Sequence, residues 1–118
     1  GFIGGPVARA LRGAGHDVTI VSRQPGHVPA KAIGWDGLRT AMVETDAVVN
    51  RAGASMADGR WTDARKTEIL ASRVEGTRAI VAAIADSTSR PKVLVNASAI
   101  GFYGPHDDEE LDESAPAG

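Results

Sequence analysis

Three short apolar runs, Asp17–Ser22, Asp46–Asn50 and Lys92–Asn96, each follow a stretch of helical spacing. That alternation constrains the fold more than any other feature of the sequence. Before the first run, Val7, Ala10 and Leu11 fall on one face of a predicted helix from Pro6 to Arg12. Pro6 suits its first turn, where a missing N–H costs nothing, and Gly13 or Gly15 suits its end. Before the second, Leu38, Met42 and Val43 predict a brief helix. Before the third, the longest helix runs from about Thr62 to Ala85, with Leu70, Val74, Val81 and Ile84 along one stripe and Thr77 between them. Gly76 inside it costs about 1 kcal/mol against alanine, and close approach of the helix to the sheet is the expected compensation. Lys31–Asp36 adds a short strand with Trp35 half-buried and Asp36 at its end. Strand and helix in turn predict an α/β fold, a doubly wound, mostly parallel sheet with helices on both faces.

A chain of 118 residues is one domain or part of one. Its net charge of -2 supplies no basic patch or stripe, which argues against nucleic acid or a membrane surface as partner. With no cysteine there is no disulfide, thiolate metal site or thiol nucleophile. His16, His27 and His106 lack metal-ligand spacing, so no metal site is expected. Neither a membrane-length apolar run nor a leader is present, and the expected location is cytoplasmic. The acidic stretch from Asp107 to Glu113 reads as a solvated loop.

Chemistry concentrates where strands stop. Lys92–Asn96 reads as a strand buried on both faces, and it ends in Ala97-Ser98-Ala99 and then Gly101-Phe102-Tyr103-Gly104. In a doubly wound sheet ligands bind at the carboxyl ends of the strands, so Ser98 either delivers a hydroxyl to that crevice or sits in a plain glycine-rich turn. Gly1-x-x-Gly4 before a helix is a weak signal alone. Its physical content is close approach of backbone to a pyrophosphate at a helix N-terminus. About twenty residues on, where ribose recognition belongs, stands Ser22-Arg23 rather than an acid. An arginine attracts a 2′-phosphate that an acid would repel, so NADP(H) is expected over NAD(H).

Together these residues resemble the short-chain dehydrogenase/reductase superfamily, in its extended or atypical branch. The carriers are Gly1-Phe2-Ile3-Gly4 before a helix, Asn50-x-Ala52-Gly53 after a strand, and the Ser98–Gly104 loop. Asp58-Gly59-Arg60-Trp61-Thr62 and Ser72-Arg73-Val74-Glu75-Gly76-Thr77 narrow the likeness to an epimerase-like family of sugar-nucleotide type, often with a small extra C-terminal domain. The likeness implies a partial NAD(P)-binding Rossmann domain over residues 1–118. Gly1 and Gly4 would be the second and third glycines of the phosphate-binding turn, with Phe2 and Ile3 between them. Arg23 beside Ser22 would meet the adenosine 2′-phosphate, and Asp36 the adenine. Asn50, Ala52 and Gly53 would line the cofactor wall. Ser98 would hydrogen-bond the oxygen of a hydroxyl or carbonyl substrate, such as a nucleotide sugar, as hydride moves. The alternative is a cofactor-binding redox sensor or interaction module on the same fold, without catalysis.

Several positions depart from the superfamily pattern. Tyr103 is the only tyrosine, and Asp107 rather than a lysine stands four residues on; a Tyr-x-x-x-Lys pair would fall beyond Gly118. Arg51 replaces the usual apolar residue and either reaches the cofactor phosphates or sits in solvent. Arg73 stands where many extended members carry asparagine. Arg60 and Trp61 either face a substrate or, for Trp61, cap the helix start, the preferred reading. Gly1 reads as the middle of its turn, so the strand feeding that turn is expected to be missing. A strand-wide slot should then separate the Val18–Ser22 strand from the Ala47–Asn50 strand.

Overall fold

The computed structural model describes residues 2–118, Ile100 through its backbone alone. Helix α1 (Gly4–Gly13) begins two residues before Pro6 and ends in a glycine turn. Gly15 takes φ +90°, its N–H reaches Arg12 O at 2.9 Å, and the His16 N–H reaches Leu11 O at 3.1 Å. These two bonds close the last helical carbonyls, the arrangement a left-handed glycine permits. Ala8 is the buried residue of α1, flanked by half-buried Val7 and Leu11, while Ala10 is exposed. The covered face is thus turned from the expected Val7, Ala10 and Leu11 set toward positions 4, 7, 8 and 11.

Strand β1 (Ile20–Val21) is shorter than the run that predicts it. It pairs in parallel with β2 (Ala32–Ile33), Ile20 against Ala32 and Val21 against Ile33. Two short 3-10 turns follow these strands, Pro25–His27 and Trp35–Gly37. Asp36 therefore lies in a turn past β2 rather than at a strand end. Helix α2 (Leu38–Met42) leads to β3 (Ala47–Asn50). Long helix α3 (Asp63–Asp86) then leads to β4 (Val93–Asn96) and a last 3-10 turn, Ile100–Tyr103. Thr62 caps α3, its Oγ1 accepting the Arg65 N–H at 3.2 Å. β3 and β4 are parallel and in register, Val48 opposite Leu94 and Asn50 opposite Asn96.

The core is one cluster, Leu38 and Met42 from α2 with Ile80 and Ala83 from α3. Val21, Trp35, Val48 and Ile84 pack on it. The inward stripe of α3 differs from the expected one: Leu70 and Val81 are exposed, and Ile80 and Ala83 take the buried places. The inward face mixes Ile80 and Ile84 with small residues such as Gly76 and Ala83, so apolar spacing alone does not mark it. Gly76 does permit a close approach, but to an aromatic ring: a Cβ there would lie 3.6 Å from the Trp35 indole.

The four strands form two separate two-stranded sheets, β1–β2 and β3–β4, and no described strand pairs with the edges between them. This agrees with the expected slot. The chain exposes 9015 Å², against about 6,100 Å² for a closed monomer of its mass. Its radius of gyration is 16.2 Å, against about 13.5 Å for a compact chain of this length. The expectation that β4 is buried on both faces fails for the same reason. Val93 and Val95 are exposed on the face of the ladder that no described element covers. Leu94, opposite Val48 on the other face, is 38% exposed because the core cluster reaches it only in part. The acidic stretch is exposed as expected. Within it the Ser114 hydroxyl and N–H donate to Asp112 Oδ1 at 2.6 and 2.8 Å, holding that carboxyl below its ordinary range. No described helix is long and apolar enough to cross a membrane.

Candidate functional site

Parallel pairing in register brings Asn50 and Asn96 side by side where β3 and β4 end. Asn50 is buried, so each polar atom of its amide needs a partner. Its Nδ2 donates to Asn96 Oδ1 at 2.7 Å and to Thr77 Oγ1 of α3 at 3.2 Å. Its Oδ1 accepts the Ala52 N–H at 3.1 Å, and its backbone oxygen accepts the Ala97 N–H at 3.0 Å. One residue thus joins the two strand ends to each other and to the helix. Because its amide is spent on these bonds, Asn50 acts on its surroundings through the loop it holds.

That loop continues through Arg51, Ala52 and Gly53, all exposed, to buried Ala54. The Ala54 N–H donates to Ser72 Oγ at 2.9 Å, and Ala54 O accepts from Arg73 Nη1 at 3.1 Å. Further on, Trp61 Nε1 donates to Met56 O at 2.9 Å, and Arg65 reaches both Ser55 O and Glu68. Trp61 therefore staples its own loop, while more than half its surface stays in water and Thr62 rather than Trp61 caps the helix. Beside it an open recess of about 600 Å³ is lined by Asp58, Gly59, Arg60, Thr62, Arg65 and Glu68 among others.

Ser98 is exposed on the segment leaving β4, one residue past the Ala97 that Asn50 anchors. Tyr103 is half-buried at the end of the following turn, edge-on to Phe102 with ring centroids 5.3 Å apart. Its carbonyl accepts from His106 Nε2 at 2.9 Å.

The remaining expected cofactor residues lie on other elements. Gly1 falls outside the described residues. Phe2 and Ile3 are exposed in the turn before α1. No side chain caps that helix, its first turn holds no acid, and a Cβ at Gly4 would meet nothing within 4 Å. Uncapped amides and open space at a glycine suit a pyrophosphate. Ser22 and Arg23 follow β1, where the Ser22 Oγ accepts the Gln24 N–H at 3.1 Å. Arg23 is exposed and makes no hydrogen bond or ion pair among the described residues; with Ser22 and Gln24 it lines a recess of about 400 Å³. Asp36 is exposed, its carboxylate turned over Gly34 so closely that a Cβ there would collide with it.

The structure thus gathers Asn50, Ala52, Gly53 and the approach to Ser98 at one ladder's end, while Arg23 and Asp36 follow the strands of the other. Gln24 and the helix ties Ser72 and Thr77 were missing from the sequence reading. Ser72, Arg73 and Thr77 stand together in one motif of the long helix, but nothing local shows which loop they meet. Among the described residues no three His, Cys, Asp or Glu side chains cluster to hold a metal.

Comparison with known proteins gives a consistent picture. The model of the NAD dependent epimerase/dehydratase family matches residues 1–118. The bovine (Bos taurus) epimerase family protein SDR39U1 is 37% identical over all of this chain and 40% of its own length. An epimerase family protein of Mycobacterium bovis is also 37% identical, again over all of this chain and 40% of the relative. Among solved structures, the crystal structure of human epimerase family protein SDR39U1 (isoform 2) with NADPH superposes with a TM-score of 0.87. It is 36% identical over 99% of this chain and 40% of that one. A Burkholderia cenocepacia J2315 structure gives 0.74 at 27% identity, covering all of this chain and 41% of its own. The chain spans about 40% of the length of the curated relatives it matches.

Proposed function

The chain belongs to the NAD dependent epimerase/dehydratase family, and from that premise we propose that it forms the NADP(H)-binding part of an epimerase-like oxidoreductase. The observation that carries this reading is the likeness, at 36% identity and a TM-score of 0.87, to a human relative solved with NADPH. The residues of this chain fit that ligand. The uncapped start of α1 with open Gly4 would take the pyrophosphate. Arg23, exposed where β1 ends, would pair with the 2′-phosphate, and Asp36 would meet the adenine. Ala52 and Gly53 would line the wall. When bound, the nicotinamide supplies hydride chemistry. Ser98 would hydrogen-bond the oxygen of a hydroxyl or carbonyl substrate, with a nucleotide sugar as the proposed class. Its exposure just past β4 supports this role.

Titrating the whole protein with NADPH and NADH, before and after Arg23→Ala, tests the cofactor assignment. Loss of a charge-assisted phosphate contact costs about 1.5–3 kcal/mol, so the variant should bind NADPH about tenfold or more weakly and NADH almost as before. Equal loss for both cofactors would remove Arg23 from the site. Tight binding with no turnover of any hydroxyl or carbonyl compound would leave a cofactor-binding module in place of an enzyme.

A further inference from the structure

Two consecutive residues of α3 hold both backbone polar groups of a single loop residue. Ser72 Oγ accepts the Ala54 N–H and itself donates to Ile69 O at 3.0 Å. Arg73 Nη1 donates to Ala54 O at 3.1 Å and to Ile69 O at 3.0 Å. The arginine also lies against the preceding residue. A Cβ at Gly53 would stand 3.1 Å from Arg73 Cζ and 3.2 Å from its Cγ and Nη1. Gly53 has φ +157°, a conformation that side chains rarely adopt, and a Cβ there would crowd the guanidinium as well. A surface arginine on a helix ordinarily keeps its rotamer freedom by extending into water. Arg73 instead is half-buried and drawn back onto Gly53 and Ala54.

We propose that Arg73 is a positioning residue. It holds Gly53 and Ala54 against α3 in the conformation that receives the dinucleotide, and it acts through that loop without touching the cofactor. The proposal rests on the cofactor reading above. A lysine could reach one of the two carbonyls, but it has no planar guanidinium to lie along the Gly53 backbone.

The test uses the whole protein as wild type, Arg73→Ala and Arg73→Lys. Each is titrated with NADPH by cofactor fluorescence and melted in parallel by circular dichroism. Arg73→Ala should weaken NADPH binding on the order of tenfold, as loss of an outer supporting contact does at metal sites, while the melt stays cooperative. The emission of bound NADPH should also move toward that of the free cofactor, a change that lost stability alone would not produce. Arg73→Lys should recover part of the affinity, and it decides the matter if the alanine variant does not fold. Gly53→Ala should cost less affinity in the Arg73→Ala background than in the wild type, because the colliding side chain is then absent. An unchanged NADPH affinity overturns the proposal, whether or not the melting temperature falls. A wild-type protein that binds no NADPH overturns the cofactor reading itself, and this inference with it.

Discussion

On one face of the β3–β4 ladder, Val48 packs on the Leu38, Met42, Ile80 and Ala83 cluster, and Asn50 is only 6% exposed beneath α3. On the other face Val49 is 41% exposed, with Val93 at 50% and Val95 at 53% beside it. The covered face carries Val48 and Leu94 with Asn50 and Asn96, and the other Ala47, Val49, Val93 and Val95, so apolar composition alone would pick the wrong face as the buried one. What separates them is which helices the chain supplies. The covered face carries the bonds that tie the strand ends to each other and to the middle of α3: Thr77 and Asn96 to Asn50, Ser72 and Arg73 to Ala54. The candidate site is therefore ordered from the α3 side, while the opposite face contributes apolar surface with nothing described to bury it.

The largest expected effect follows from that bare face. A two-stranded sheet is marginal in water without further strands or a helix packed on it, and here there are two such sheets. Fully burying such a residue is worth about 1.5–3 kcal/mol. These half-exposed valines forgo about half of that each, which together is a large share of a domain's total stability of about 5–15 kcal/mol. The isolated 118-residue chain should therefore aggregate or melt without a sharp transition. The whole protein should unfold cooperatively. A two-state thermal transition of the isolated chain by circular dichroism would break the comparison, because the bare face would then cost little.

Next in size is a truncation on the covered face. Ile80 is 5% exposed in the cluster between α2 and α3. Removing its side chain beyond Cβ loses burial and leaves a cavity, so Ile80→Ala should cost about 2–5 kcal/mol in the whole protein. Urea denaturation measures this directly. A loss below about 1 kcal/mol, at the level of ordinary surface changes, would mean that the covered face is not the one holding the fold.

Much of this was legible in the sequence. The alternation of strand and helix, the paired glycine and proline of α1, and the polar stops after Asn50 and Asn96 all correspond to observed elements. Strand lengths were not, because Asp17–Thr19 has the residue types of a strand but no partner there: β1 pairs with β2 only over Ile20 and Val21. Asp36 was displaced for a similar reason, since the Trp35–Gly37 turn begins where a longer strand was expected. The ties from Ser72, Arg73 and Thr77 were hidden because their meaning depends on which loop meets the helix, a long-range fact that local pattern does not carry. The stripe of α3 misled most. Apolar spacing alone favours Leu70, Val74, Val81 and Ile84. Ile84 does pack on the core and Val74 is half-buried, but the helix is turned toward the side where Gly76 meets Trp35, so Ile80 and Ala83 are buried and Leu70 and Val81 are not.

The smallest effect should come from the residue that this rotation leaves outside. Leu70 is 65% exposed on α3, and the spacing argument had placed it on the buried stripe. Replacing it by glutamine removes apolar surface already in water and substitutes a residue of comparable helix propensity. Neither change disturbs a buried contact, so Leu70→Gln should alter stability by no more than about 0.5 kcal/mol. The same urea titration that reads Ile80→Ala reads this variant, and the ratio of the two losses sharpens the comparison between inward and outward sides of one helix. A loss for Leu70→Gln approaching that for Ile80→Ala would show that Leu70 is covered in the whole protein. The outer side of α3 would then be a packing surface as well, and the rotation argued from Gly76 and Trp35 would no longer account for which side chains this helix buries.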